Sequence, residues 1–404
     1  MTEPKVTAAS LQPEQWTLSS NQALQIFIIE PSGAKHFQPA FTYPVFGEAE
    51  QIFGFKDLVI FLCFDHCTFY PFLNVRYSEK LNDESLEEPK DQLLKFLPES
   101  TIFKDEEEWA DAIQEEQENY SIPGSQFGET FTQGSSTYAI YKIDLKSERG
   151  LELLKRLQFL TLLFIEAASY IDSTDELWDL YVLYKVDDPK LPSVVGLCTA
   201  YNYWKYPGGK NFDEGKEEVR KKLSQFIILP THQGNHLGGQ FYNRLFELWK
   251  SDPKVVEIVV EDPNESFDDL RDRSDFSRLV EQNIFDLRSI DMNVVNSDWW
   301  ETTRREQKLE RRQFSRLVEM LLLQKLKSPS PNVTNKEVRL FIKKRLFEKN
   351  KEALTGLDEA TRRDKLHTAY ESLAQDYYRI IEPLKLKREN EALDNGANKK
   401  PKLE

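Results

Sequence analysis

A chain of 404 residues is long enough for two or three domains with their own cores, and 40% apolar content, with 26 Phe and 16 Tyr, makes it globular over most of its length. A formal charge of -15 excludes nucleic acid or an anionic membrane as the main partner, since both need a basic face, and favours a cationic one. Three cysteines, Cys63, Cys67 and Cys198, and a start without a basic-apolar leader point to a reducing compartment, and the longest apolar stretch, 157–165, is too short to span a bilayer.

Residues before about Leu11 show no pattern. From Trp16 to about Tyr77 the chain predicts strands: 24–29, 58–64 and 68–77 are rich in aromatic and β-branched residues between turn formers. Gly47-Glu48-Ala49-Glu50 reads as a short acidic turn among them. Cys63, His66 and Cys67 lie close together, but a second pair of ligands is missing and no metal is expected. Residues 83–118 carry most of the acidic excess, including Asp105-Glu106-Glu107-Glu108; the run reads as solvated surface that would also concentrate a lysine-rich peptide at low salt. Ser121 to Gly134, rich in Gly, Ser and Gln, reads as a linker.

Residues 138–143 alternate like a strand and lead into a long helix from about Ser147 to Tyr170, with Leu151, Leu154, Phe159, Leu162 and Leu163 on its apolar face. Glu166 ends that run. It either faces solvent or lies against an apolar wall, where its pKa would rise and it would share proton work. Strands follow at 180–185 and 194–203, antiparallel neighbours across Asp187-Asp188-Pro189. Tyr201, Tyr203, Trp204 and Tyr206 then crowd ahead of Pro207-Gly208-Gly209, a cluster that is either core or an anchor for a partner.

The stretch from Leu223 to Arg273 organises the rest. Phe226-Ile227-Ile228-Leu229 is a short apolar strand ended by Pro230, and the loop Gln233-Gly234-Asn235-His236-Leu237-Gly238-Gly239 follows. Phe241, Leu245, Phe246 and Trp249 then share one face of a helix, and 255–260 reads as a buried strand ending at Glu261 and Asp262. A helix N-terminus offers unpaired N–H groups and a partial positive charge, so this βαβ unit suits an anion such as a pyrophosphate. The loop has neither the Lys-Ser/Thr ending of a P-loop nor the three-glycine dinucleotide spacing, which argues against ATP and NAD. Beyond Arg273 the pattern is helical, over 304–326, 335–350 and 357–381, interrupted by Ser328-Pro329-Ser330-Pro331. The polar end holds Lys399-Lys400-Pro401-Lys402, either a nuclear-import signal or nothing.

The glycine loop, Val260-Glu261-Asp262-Pro263-Asn264-Glu265 and Asp268-Asp269-Leu270-Arg271-Asp272-Arg273 resemble the type B histone acetyltransferase catalytic subunit family of the GNAT superfamily. So do Phe41-Thr42-Tyr43-Pro44, Phe164-Ile165-Glu166-Ala167-Ala168, Tyr203-Trp204 and Arg312-Gln313-Phe314. The resemblance runs from about Trp16 to about Ile381. It implies an α/β fold: a GNAT core of mixed sheet flanked by helices (136–275, binding acetyl-CoA), an N-terminal β-rich domain (1–135), a helical C-terminal domain (276–388) and a disordered polar tail (389–404). The order strand, helix, three strands, helix, strand fits such a core. In the superfamily loop, Gln/Arg-x-x-Gly-x-Gly/Ala, His236 stands where the first glycine belongs. Histidine tolerates positive φ less well than glycine, so a reshaped loop using Gly234 is expected.

The resemblance further implies acetyl transfer from acetyl-CoA to a histone-tail lysine, a heterodimer with a WD-repeat histone chaperone, and cytoplasmic and nuclear location. The backbone of Phe226, Ile227 and Ile228 would face acetyl and pantetheine, and 233–239 would hold the pyrophosphate. Asn264 and Arg273 would touch the cofactor, and Glu48, Ala49, Glu50 and Trp178 the tail. Tyr203, Trp204, Lys205, Tyr206, Pro207, Gly208, Gly209, Lys210 and Asn211 would meet the chaperone. Lysine must lose a proton before it attacks, and Glu261 at the strand end is the expected base, with Asp262 and Glu166 in reserve. Cys198 sits inside a strand pattern, so direct attack in a ternary complex is expected rather than an acetyl-enzyme. Two alternatives stand beside this reading. One is a histone-binding chaperone subunit whose loop no longer binds acetyl-CoA; the other is an N-acetyltransferase for small amines or protein N-termini.

Overall fold

The computed structural model describes residues 13–286, 289–327 and 333–397, with side chains to 384. The chain forms two compact units, one of residues up to 203 with 222–241, the other of 204–221 with 242 onward. All three crossings between the units fall inside the segment 136–275.

Unit one begins with a five-stranded sheet of β1 (Leu24–Glu30), β2 (Gly33–Phe37), β3 (Val59–Asp65), β4 (Pro71–Arg76) and β5 (Ile102–Phe103), in the order β2-β1-β3-β4-β5. Strands β1 and β3 are parallel, and β2 and β4 pair antiparallel with them. Alternation buries Leu24, Ile26 and Ile28 of β1 and Ile60, Leu62 and Phe64 of β3. Part of the acidic segment is structural: Glu106–Glu118 forms α1, capped by Asp105, whose carboxylate accepts the Glu108 N–H at 2.9 Å. Glu106, Glu107 and Glu108 in its first turn complement the helix dipole.

The expected linker is sheet. Strands β6 (Gly124–Gln126) and β7 (Phe131–Gln133) both pair antiparallel with β8 (Ser136–Ile143), and a Cβ on Gly124 would lie 2.2 Å from the Lys142 carbonyl oxygen. Polar, glycine-bearing composition here marks edge strands rather than loop. Helix α2 (Glu148–Phe164) is capped by Ser147 and stops six residues before Tyr170, because Ile165 is extended and Ala167 takes φ +57°. Strands β9 (Trp178–Lys185), β10 (Ser193–Lys205) and β11 (Glu218–Ile228) extend the sheet in the order β6-β8-β9-β10-β11. Strand β11 is far longer than the apolar run at its end, since Lys221 and Gln225 alternate inward with Leu223 and Ile227. Leu62 and Phe64 of the first sheet, Leu157, Leu160 and Leu163 of α2, and Leu180 and Val182 of β9 belong to one apolar core.

Helix α3 (Leu237–Ser251) passes from unit one into unit two, where Tyr242, Phe246 and Trp249 are buried. Unit two continues with β12 (Val255–Val260), α4 (Glu265–Glu281), α5 (Arg311–Leu326), α6 (Asn335–Lys349) and α7 (Glu359–Ala397). The helix expected from 304 is two helices: Trp299–Glu306 ends, Leu309 bridges to Ile258, and α5 then starts. Buried ion pairs join the later helices: Asp272 accepts from Arg316 at 2.5 Å and Gln313 at 3.0 Å, and Glu319 from Arg345 at 2.5 Å and Tyr377 at 2.9 Å. Helix α7 runs past 381 and through Pro383 to Ala397. The Ser-Pro break at 328–331 and the lysines of 399–402 lie outside the described residues.

Among the described residues no helix is long and apolar enough to cross a membrane, and no group of three His, Cys, Asp or Glu is placed to hold a metal. His66 Nδ1 instead lies 2.8 Å from Ser193 Oγ.

Candidate active site

In unit one, β11 ends at Ile228, and the Leu229 N–H still donates to the Val195 carbonyl at 2.9 Å. Strands β10 and β11 close tightly here, since a Cβ on Gly196 would lie 2.4 Å from the Ile227 carbonyl oxygen. One 3-10 turn, Pro230–His232, leads into the loop, and the side-chain amide of Gln233 turns back to donate to the Ile228 carbonyl at 2.8 Å. Gly234 takes φ +79° and His236 φ +59° before α3 starts at Leu237. The loop is therefore not reshaped to spare the histidine: His236 itself adopts the left-handed conformation expected of the glycine it replaces, and Gly234 adds a second. Residues Gln233 to His236 are exposed, Leu237 is buried as an anchor, and Gly238 and Gly239 occupy the first turn of α3. With exposed backbone followed by a helix N-terminus, the geometry fits an anion carried by a ligand.

His232, in the turn ahead of the loop, is buried, with no hydrogen-bond partner for Nε2 among the described residues. Burial, reinforced by the Lys35 charge and opposed by Glu30, pulls its pKa down to about 4. It is uncharged at neutral pH, so its 3.9 Å approach to Glu30 is not then an ion pair.

Glu166 lies exposed in the turn after α2. That turn is fastened twice. The Tyr43 hydroxyl accepts the Ala167 N–H at 2.7 Å, and the Gln225 side-chain amide donates to the Ser169 carbonyl at 2.8 Å while its oxygen meets Thr199 Oγ1 at 3.1 Å. Two distant sequence landmarks, 41–44 and 164–168, thus meet. Sequence reasoning passed over Gln225; the available signal was a polar residue at an inward position of an alternating strand.

The acidic turn separates into two roles. Glu50, at φ +50°, accepts from the Thr42 and Tyr43 N–H groups at 2.5 and 3.2 Å and from Asn21 Nδ2 at 3.0 Å. Glu48 and Ala49 are exposed beside it. Trp178 is half-buried at the start of β9, its ring 4.9 Å from Tyr201, which stands 4.7 Å from Tyr203. A groove of about 770 Å³ adjoins Trp178, with Asp144, Glu148, Asp175 and Glu176 among its walls.

In unit two, Glu261 and Asp262 are exposed just past the end of β12, with Asp262 at φ +31°. Asn264 caps α4, its Oδ1 accepting the Phe267 N–H at 2.9 Å, and Arg273 is paired with Asp269 at 3.1 Å. Of the aromatic cluster, Trp204 and Tyr206 are more than half exposed, as is Phe212, 5.8 Å from Tyr206. Lys205, Pro207 and Gly208 link them, and Gly209, Lys210 and Asn211 open the short helix that carries Phe212. Phe212 was missed, for want of any pattern around it.

All three cysteines make poor nucleophiles. Burial pushes the Cys63 thiol up to about 12 and that of Cys67 higher, and Cys198 is fully buried in β10.

Residues 16–166 match the family model described as histone acetyl transferase HAT1 N-terminus, and 272–327 that described as fungal HAT1, C-terminal. The chain is 62% identical to a histone acetyltransferase type B catalytic subunit of Debaryomyces hansenii, over 98% of this chain and 97% of that one. It is 56% identical to the Candida albicans protein of the same name, over 96% of each, and 32% identical to that of Schizosaccharomyces pombe, over 93% and 96%. Among solved structures, it resembles an aminoglycoside acetyltransferase from a soil metagenomic sample in complex with sisomicin, at TM-score 0.25 and 16% identity over 35% of this chain and 85% of that one. It also resembles Arabidopsis thaliana NAA60 in complex with a bisubstrate analogue, at TM-score 0.25 and 12% identity over 34% and 82%.

Proposed function

Since the chain belongs to the histone acetyltransferase type B catalytic subunit family and is an acetyltransferase, we propose that it acetylates lysines in the N-terminal tail of newly made, non-nucleosomal histone four. The acetyl donor is acetyl-CoA, attacked directly in a ternary complex. The observation that carries this reading is 62% identity to a named catalytic subunit along nearly the whole of both chains.

The left-handed backbone at Gly234 and His236, opening onto α3, supports pyrophosphate binding by 233–239. The Phe226 to Ile228 backbone lines the acetyl and pantetheine portions, with Asn264 and Arg273 as further contacts. At pH 7 a lysine ammonium needs about 4 to 5 kcal/mol to reach the neutral amine, so a carboxylate must take its proton. Glu261 is assigned that task because it is an exposed carboxylate ending a strand, with Asp262 and Glu166 in reserve. Three buried or high-pKa cysteines favour direct attack over an acetyl-enzyme. Glu48, Ala49, Glu50 and Trp178 hold the basic tail, and Tyr203 to Asn211 dock a WD-repeat histone chaperone through the exposed Trp204 and Tyr206. The enzyme works in cytoplasm and nucleus.

The test is calorimetric titration with acetyl-CoA followed by acetyl transfer to a histone-four tail peptide. Binding and transfer are expected. Peptide binding without acetyl-CoA binding would instead make this a histone-binding subunit.

A further inference from the structure

Within this acidic chain, α6 stands out for its charge. From Asn335 to Lys349 it holds Lys336, Arg339, Lys343, Lys344, Arg345 and Lys349 against Glu337 and Glu348. Helical spacing sorts them. Val338 and Ile342 face inward and are fully buried, and on that side Arg345 pairs with the buried Glu319 at 2.5 Å. The opposite face carries Lys336, Arg339, Lys343 and Lys344 around Leu340, which is 54% exposed, with half-buried Phe347 two turns on from it. Neither acid on the helix neutralises this face. Glu337 is spent on the capping box, accepting from the Thr334 N–H at 2.9 Å and its hydroxyl at 2.7 Å, and Glu348 lies to one side.

The other groups facing the stripe come from α7. Tyr370 lies under the Lys343 ammonium at 5.9 Å, and the nearby Glu371 is 3.2 Å from His367 Nε2. Burial and the neighbouring Arg339 charge hold Lys343 below its ordinary pKa, with Glu371 opposing them. Four like charges crowd one face, and among the described residues no ion pair to Lys336, Arg339 or Lys344 answers them. A solvated helix tolerates such crowding; a partner that brings anions relieves it.

We propose that the outer face of α6 docks an acidic segment of another protein, one that sets an apolar side chain on Leu340 and Phe347 and carboxylates against Lys336, Arg339, Lys343 and Lys344. A protein segment fits better than nucleic acid. A phosphate backbone has no use for an exposed leucine at the centre of the patch. None of these residues is among those assigned to acetyl transfer.

The experiment uses the full chain and a fluorescent peptide of repeating Glu-Glu-Leu-Glu, with polyglutamate of equal charge, a DNA duplex and anionic vesicles as competing probes. The peptide should bind more tightly than the other three, with affinity falling as salt rises. The quadruple variant K336Q/R339Q/K343Q/K344Q should lose tenfold or more in affinity, Leu340→Ser several-fold, and both should keep wild-type acetyl transfer and melting temperature. An undiminished affinity in the quadruple variant overturns the proposal, as does tighter binding of the duplex or of vesicles. Concentration-dependent self-association that the quadruple variant abolishes would assign the face to a second copy of this chain, and would overturn it too.

Discussion

The Glu50 carboxylate accepts the Thr42 N–H at 2.5 Å, eight residues back along the chain, and so closes the acidic turn on itself. A side chain that looks on paper like one of two equivalent anions for a basic peptide is also the clasp of its own loop. Its neighbour Glu48 is left to face outward.

The two glutamates should therefore behave differently. Glu48→Gln is expected to raise the KM for a histone-tail peptide at low salt and flatten its salt dependence, with little change in kcat or melting temperature. Glu50→Ala strands two backbone donors and Asn21, and should cost about 1.5 to 3 kcal/mol in stability. Thermal melts beside peptide kinetics distinguish them; equal melting temperatures for wild type and Glu50→Ala would refute the clasp.

At the loop, His236→Gly removes a left-handed strain of about 1 to 2 kcal/mol without touching the exposed backbone, so acetyl-CoA affinity should stay within a few fold. Gly234→Val forces a β-branched residue to φ +79° and should weaken binding at least tenfold. Calorimetry reads both. If His236→Gly abolishes binding, the imidazole is itself a ligand group.

Glu261→Gln keeps shape but cannot accept a proton, so acetyl-CoA and peptide should still bind while kcat falls about 100-fold to 10,000-fold. Higher pH should rescue part of the loss, because free amine then forms unaided. Near-normal turnover in Glu261→Gln together with a large loss in Glu166→Gln would move the base to the turn after α2.

His232 gives the fold an acid limit. Its pKa is depressed in the folded chain to about 4, so the unfolded chain binds the extra proton first as pH falls. The stability it contributes is whole above about 6.5 and lost between there and about 4, a swing of about 3 kcal/mol. His232→Phe should flatten the fall in melting temperature across that window. An unchanged pH profile in this variant would show that other groups set the acid limit.

Much of this was legible in the chain. Regular alternation in β1 and β3 and the β-branched run of β12 locate those strands to within a residue or two, because one buried face dictates every second side chain. The glycine loop and the carboxylates after β12 stand out because glycine and proline punctuate them. Strands β6 and β7 were hidden, since an edge strand has little to bury and Gly124 is chosen for clearance rather than propensity. The early end of α2 was hidden too: nothing in Glu166-Ala167-Ala168 breaks a helix locally, and the fastening by Tyr43 and Gln225 comes from residues 124 and 56 positions away in the sequence respectively. Burial of His232 is likewise a tertiary fact.

The chain passes between its two compact units at 203–204, 221–222 and 241–242, so each unit is woven from more than one stretch. No single cut frees either one. A fragment ending at Glu166, where the N-terminal family match stops, would keep Leu157, Leu160 and Leu163 but forfeit Leu180, Val182 and Ile227 from the same core, and should be recovered molten or aggregated. Autonomy for the first unit calls for splicing instead: a short turn replacing 204–221 would connect β10 directly to β11, with α3 trimmed just after Phe241.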